Sequence, residues 1–134
     1  MRPVFADTVY FLALLNPADQ FHQRAQALSL QPAGPLGTTE FVPMEVGDAL
    51  SRPEYRPRFA RLLEVLREQT DVEIVPASSA LFRRATSLHA ERPDKEWSLT
   101  DCTSFVVMNE RNLTDALTTD HHFEQAGFRP LMRR

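Results

Sequence analysis

The sequence predicts an α/β fold, a parallel sheet covered on both faces by helices. Three observations predict it. Short apolar runs of strand length recur along the chain, and longer stretches with helical apolar spacing or capping residues stand between them. Strand–helix alternation of this kind makes neighbouring strands parallel. The length of 134 residues fits one domain, and no turn-rich joint is long enough to be an interdomain linker, so residues 1–134 are expected to form a single domain.

The elements follow in order. Pro3 to Ala6 ends on Asp7 and reads as a buried strand. Val9 to Leu15 reads as a helix, and Asp19 can cap a second from Gln20 to about Leu30. A turn follows at Gln31 to Pro35, then a short strand at Leu36 to Thr38. Thr38 or Thr39 caps a helix running to about Leu50, and Pro53 prevents its continuation. Phe59, Leu62, Leu63 and Leu66 mark an amphipathic helix with Arg58, Arg61 and Glu64 outside. Val72 to Val75 is a strand before Pro76, and Ser78 or Ser79 opens a helix to about His89. Leu99 to Arg111 is a helix, Ala116 to Thr119 a strand, and Phe128 to Met132 the last strand.

Composition narrows the function classes. Apolar residues at 43% and charged residues at 25% are ordinary globular values. Fifteen basic against 18 acidic residues leave a net charge of −3, which argues against holding nucleic acid by bulk charge alone. The single cysteine, Cys102, allows no intrachain disulfide and fits a reducing, cytoplasmic setting. The apolar run Val9 to Leu15 is too short to span a bilayer and lacks a signal-peptide pattern.

In parallel sheets, ligands sit beyond the carboxyl ends of the strands. Asp7 follows the first strand and Asp120 follows the strand Ala116 to Thr119, so adjacent strands would bring both into one crevice. Each could equally cap the helix after it. Asp101 belongs to a capping-box pattern opened by Ser98, which fixes the helix start and the direction of its carboxylate. Glu45 lies beside Val42 and Ala49, at the margin of the apolar stripe of its helix. A glutamate there needs a partner, an arginine or a cation. Four converging carboxylates repel one another and raise some of their own pKa values, which a divalent ion relieves. Carboxylates without paired histidines at ligand spacing suit Mg²⁺ or Mn²⁺ rather than zinc. His121 and His122 diverge by about 100° on a helix, so they are not expected to face one ion together. Arg52, Arg56, Arg58, Arg61 and Arg67 form the densest basic cluster, read chiefly as a solvated helix face.

These residues resemble the PIN-domain ribonucleases over nearly the whole chain. Val4-Phe5-Ala6-Asp7-Thr8 is similar to that family's first strand with its acidic end. Thr38 to Glu45 resembles the second motif and Leu99 to Phe105 the third. Ala116 to Phe123, followed by Gly127-Phe128, resembles the closing motif. The resemblance implies a three-layer sandwich with strand order 3-2-1-4-5, in which the first and fourth strands are neighbours. It implies cleavage of single-stranded RNA with Mg²⁺ or Mn²⁺ held by Asp7, Glu45, Asp101 and Asp120, with Thr8 and Ser104 as supporting residues. It also implies a toxin of the VapBC toxin–antitoxin class, a small antitoxin as partner, and a homodimer. Val9, Phe11, Leu12, Leu15 and Phe21 offer apolar surface near the N-terminal helices that is read in part as a dimer or antitoxin interface, the alternative being that all of it is core.

Two rivals stand beside this reading. One is a PIN-fold module that binds RNA or a regulator without cutting; clustered like charge argues against it. The other is a haloacid-dehalogenase-like phosphoryl-transfer domain, but Val9 occupies the place where that pattern needs a second aspartate.

Overall fold

The computed structural model describes residues 2–30 and 34–133, so the predicted turn at Gln31 to Pro35 lies partly outside the described residues. The elements run β1 (Val4–Ala6), α1 (Thr8–Leu15), α2 (His22–Leu30), β2 (Leu36–Thr39), α3 (Phe41–Ala49) and α4 (Arg56–Glu68). They continue with β3 (Val72–Val75), α5 (Ser79–Glu91), α6 (Leu99–Glu110), β4 (Asp115–Leu117), α7 (His121–Gln125) and β5 (Arg129–Pro130). The sheet has the order β3-β2-β1-β4-β5 and every pairing is parallel. β1 is central, and Phe5 sits between Gly37 and Ala116. The α/β class and the strand order both hold.

Local chemistry accounts for most boundaries. Thr39 Oγ1 accepts from the amides of Phe41 and Val42 at the start of α3. Ser78 caps α5 by accepting from Leu81 N, and Ser98 and Asp101 complete a reciprocal capping box on α6. Pro57 sits in the first turn of α4, where a missing N–H is harmless. On α4 the buried side chains are Leu62 and Leu66, with Arg58, Arg61 and Glu64 exposed, as its periodicity demands.

Several predicted boundaries move, and local contacts account for the shifts in three elements. α2 begins at His22 rather than Gln20, because Asp19 Oδ1 accepts from Phe21 N in a turn ahead of the first helical bond. β4 ends at Leu117, two residues before the predicted Thr119. The Asp7 amide still bonds to Leu117 O at 3.2 Å, but β1 then turns into α1 and offers no further ladder. β5 shrinks to Arg129–Pro130, since the Phe128 amide closes α7 by bonding to Phe123 O.

The core is built around Phe105 of α6, with ring centroids 5.0 Å from Trp97, 4.9 Å from Phe123 and 5.6 Å from Phe128. Phe123 also lies 6.4 Å from Phe5 of the central strand. These aromatic contacts pin the short α7 against α6 and β1, and so fix the position of the residues just ahead of Phe123. Of the expected interface residues, Phe11 is fully buried, and Leu12, Leu15 and Phe21 pack partly buried against the core. Among the described residues, the large apolar side chains that are exposed lie elsewhere: Leu30, Met44, Phe82 and Leu99. No helix among the described residues is long and apolar enough to cross a membrane.

Candidate active site

Asp7 stands at the carboxyl end of the central strand and is only 6% exposed. Its side chain makes no capping bond to α1. Instead, Thr118 Oγ1 donates to Asp7 Oδ2 at 2.8 Å, a contact between residues 111 positions apart. Burial drives the Asp7 carboxyl up to about 7. Hydrogen bonding from Thr118 and from the Thr8 amide pulls the other way, and the charges of Asp101 and Glu45 add a further push upward. A raised carboxyl pKa is therefore present as expected, but desolvation outweighs the mutual repulsion that predicted it.

Glu45 projects from α3, and Thr8 Oγ1 donates to its Oε1 at 2.6 Å. The partner is thus a hydroxyl from the first turn of α1, which leaves the glutamate's charge uncompensated. Glu40, the residue just ahead of α3, points away and accepts from Ala77 N at 2.7 Å.

Asp101 performs the capping role and more. One oxygen, Oδ2, accepts from the Ser98 amide at 3.2 Å and faces His122 Nδ1 at 3.0 Å. Burial raises its pKa; bonds from Ser98 and His122 oppose the shift, and the charge of Asp120 adds to it. Asp120 caps α7, accepting from His122 N at 2.8 Å through Oδ1. It does not follow directly on β4. Thr118 and Thr119 intervene, and Thr118 Oγ1 accepts from Asp120 N at 3.1 Å. The four carboxylates thus form a chain of electrostatic neighbours, Glu45 to Asp7 to Asp101 to Asp120.

Two residues acquire roles beyond the expectation. Thr118, fully buried, ties Asp7 to the Asp120 turn through one hydroxyl. The other is His122, whose Nδ1 lies 3.0 Å from Asp101 and 3.5 Å from Asp120. The expectation that the two histidines cannot face one ion is corrected. Among the described residues, Asp120, His121 and His122 bring three ligand atoms within 4.8 Å of one another. The 100° divergence assumed side chains on a regular helix, whereas these two open a five-residue helix beside its cap. Ser104 is buried, and its Oγ has no hydrogen-bond partner. The arginine cluster stays apart: Arg56 bonds Ser51 O, Arg58 bonds Leu15 O and Arg61 pairs with Glu64.

The donor set fits a divalent cation. It offers carboxylate oxygens and imidazole nitrogens but no thiolate, because burial and the Asp101 charge push the Cys102 thiol up to about 11. A buried carboxyl at the strand end, with two further negative charges in reach and its pKa raised to about 7, is only partly ionised at neutral pH, and positive charge in the crevice favours its ionised form.

A parallel sheet of order 3-2-1-4-5 with an acidic crevice at the end of its central strand defines a PIN-type domain. The chain belongs to the PIN domain family, whose sequence profile matches residues 4–129. It is 29% identical over 125 residues to the 23S rRNA-specific endonuclease VapC20 of Mycobacterium tuberculosis, covering 93% of this chain and 95% of the relative. The crystal structure of VapC20, a sarcin-ricin loop cleaving toxin, superimposes with a TM-score of 0.82 at 28% identity, over 93% and 95% of the two chains. More distant folds are similar too. VapBC2 from Rickettsia felis, bound to a promoter DNA fragment, has a TM-score of 0.67 at 13% identity, with 96% of each chain covered. FitAcB from Neisseria gonorrhoeae has a TM-score of 0.64 at 18% identity, covering 95% of this chain and 94% of that one.

Proposed function

We propose that this PIN domain is a divalent-metal-dependent endoribonuclease of the VapC toxin type. The observation that carries the reading is Asp7, a nearly buried carboxyl at the central strand end whose ionised form burial and neighbouring charge disfavour and a cation would stabilise. The likeness to VapC20 over almost the full length of both chains supports the substrate class.

In this reading Asp7, Glu45, Asp101 and Asp120 hold the ion, with Mg²⁺ or Mn²⁺ suited to oxygen donors. Bound there, the ion supplies Lewis acidity toward a phosphoryl oxygen and an activated water for in-line attack. The protein's own part is positioning. Thr118 fixes the Asp7 carboxylate, Thr8 fixes Glu45, and the capping box with Ser98 aims Asp101. Donors that touch only an ionised carboxylate's lone pairs favour the charged form, ready for a cation.

Purified protein incubated with ribosomal RNA carrying the sarcin-ricin loop, and with an unrelated single-stranded RNA, tests the reading. Cleavage with Mg²⁺ or Mn²⁺ that stops in EDTA is the expected result. Undiminished cleavage in EDTA overturns the metal role, and binding of RNA without cleavage under any ion favours a silent binding module. A small antitoxin and a homodimer complete the proposal; co-purification with the product of an adjacent small reading frame, and sedimentation, check them.

A further inference from the structure

Asp101 and Asp120 stand at the starts of two different helices, and like charge pushes those starts apart. The Asp120 charge is one of the influences that raise the Asp101 pKa. β4 lies between α6 and α7 in the chain, so no short connection sets their spacing. α7 has five residues, too few for its own hydrogen bonds to hold it as a helix. Its orientation must come from side chains that tie it to the rest of the molecule.

Three ties are spread along it. Asp120 caps the first turn, Phe123 is fully buried against Phe105, and Gln125 Oε1 accepts from Trp97 Nε1 at 3.0 Å. A buried indole N–H needs a partner wherever it lies. What distinguishes this one is that its partner belongs to the helix capped by Asp120, while Trp97 itself directly precedes Ser98, whose capping box aims Asp101. The indole is held from two further sides. Its ring meets Phe105 edge-on at 5.0 Å, and the Arg92 guanidinium lies 5.1 Å from its centroid. Arg92 is in turn gripped by both Asp94 oxygens, each at 3.0 Å. Trp97 is therefore a fixed post, not a side chain free to follow α7.

This arrangement makes α7 a lever. Phe123 is the pivot, three residues from Asp120 and two from Gln125. At about 1.5 Å of rise per residue, a movement of ~1 Å at Gln125 becomes roughly 1.5 Å at Asp120, in the opposite sense. A misplacement of about 1 Å can cost ~100-fold in rate. Inside the crevice the same two helices meet at His122 and Asp101, 3.0 Å apart. The Trp97–Gln125 bond is the matching tie outside it.

We propose that Trp97 is a positioning residue for the candidate active site: through Gln125 it fixes the spacing between the helix starts that carry Asp101 and Asp120, against their mutual repulsion. The inference rests on the metal-dependent nuclease reading and extends it to a part of the molecule outside the crevice.

Trp97→Phe removes the donor but opens the core. Gln125→Met, at an exposed position, removes the same bond and keeps the test readable. Gln125→Glu retains an acceptor oxygen and is the conservative control. Two quantities are read well below each variant's melting temperature: the affinity of EDTA-stripped protein for Mn²⁺ by calorimetry, and RNA cleavage at saturating Mn²⁺. Gln125→Met should lower Mn²⁺ affinity about tenfold and kcat about 10- to 100-fold, with KM for RNA within about threefold and Gln125→Glu within about threefold of wild type throughout. A Gln125→Met chain with wild-type Mn²⁺ affinity and kcat overturns the proposal, whatever its melting temperature, and leaves the nuclease reading standing. Equal losses in Gln125→Met and Gln125→Glu overturn it too, since the bond is then not the cause. A wild type that binds no Mn²⁺ and cleaves no RNA overturns both.

Discussion

Asp7 and Asp120 are the same residue type, one directly after β1 and the other three residues beyond the adjacent β4, yet they are held by different physics. Asp120 is positioned locally: it caps α7 through His122 N, two residues on, and is partly exposed. Asp7 is positioned by the tertiary fold, through the Thr118 hydroxyl and the sheet around it, and is nearly excluded from solvent. The open end is organised before any ion arrives. The buried end carries a carboxyl that is still partly protonated near neutrality, so positive charge beside the central strand would favour its ionised form.

The largest effect expected from that contrast is on catalysis. Asp7→Asn should lower the rate of RNA cleavage by more than about 100-fold, beyond what loss of a merely supporting partner costs, with an unchanged circular dichroism spectrum. Activity within a few fold of wild type breaks the comparison, because the buried end would then be dispensable.

The second effect is on stability in EDTA. The folded Asp7 carboxyl titrates at about 7 against an ordinary 3.8, so between these values the folded chain holds more protons than the unfolded one. Stability therefore falls as pH rises through that window. Asp7→Asn removes this fall and should melt above wild type at pH 8, by at most about 4 kcal/mol at roughly 1.4 per pKa unit. Mg²⁺ should raise the melting temperature of the wild type and do less for the variant. Melting curves from pH 4 to pH 8 check it, and an Asp7→Asn chain that melts below wild type at pH 8 contradicts it.

Thr118→Val is a sharper probe because it removes one hydroxyl and preserves shape. It orphans the Asp120 amide and strips Asp7 of its side-chain donor. A loss of about 1–3 kcal/mol is expected, with cleavage slowed about 10-fold. Chemical denaturation with parallel rate assays separates the two effects. The smallest effect belongs to the local end. Ser98→Ala breaks the capping box and should cost about 1 kcal/mol, while cleavage falls less than in Thr118→Val, since His122 still aims Asp101.

The same contrast marks what could be read from the sequence. Glu45 is legible because helical periodicity sets it against a buried stripe, and Asp101 because the Ser98 pattern is contained within four residues. Strand alternation suffices for the sheet's class and for the crevice at its carboxyl end. Thr118 escapes because its partner is 111 residues away and nothing in a local window distinguishes it from Thr119. His122 escapes for another reason: regular helical angles were applied to the first residues of a five-residue helix, where the Asp120 cap and the buried Phe123 dictate the ring's place. The ends of β4 and β5 moved because each depends on where a neighbouring strand stops, which is a tertiary quantity.

The hydroxyl bond between Thr118 and Asp7 also bears on the order of events during synthesis. Chains fold from the N-terminus as they emerge, and contacts between distant residues form late. β1, the strand that carries Asp7, has β4 as one of its two neighbours, and Asp120 and His122 lie beyond β4. Until residues 115–122 have left the ribosome, the nascent chain has three of the five strands, and Asp7 lacks the Thr118 hydroxyl. The acidic crevice is thus completed only after most of the chain has been made, a delay set by the distance in sequence between two residues.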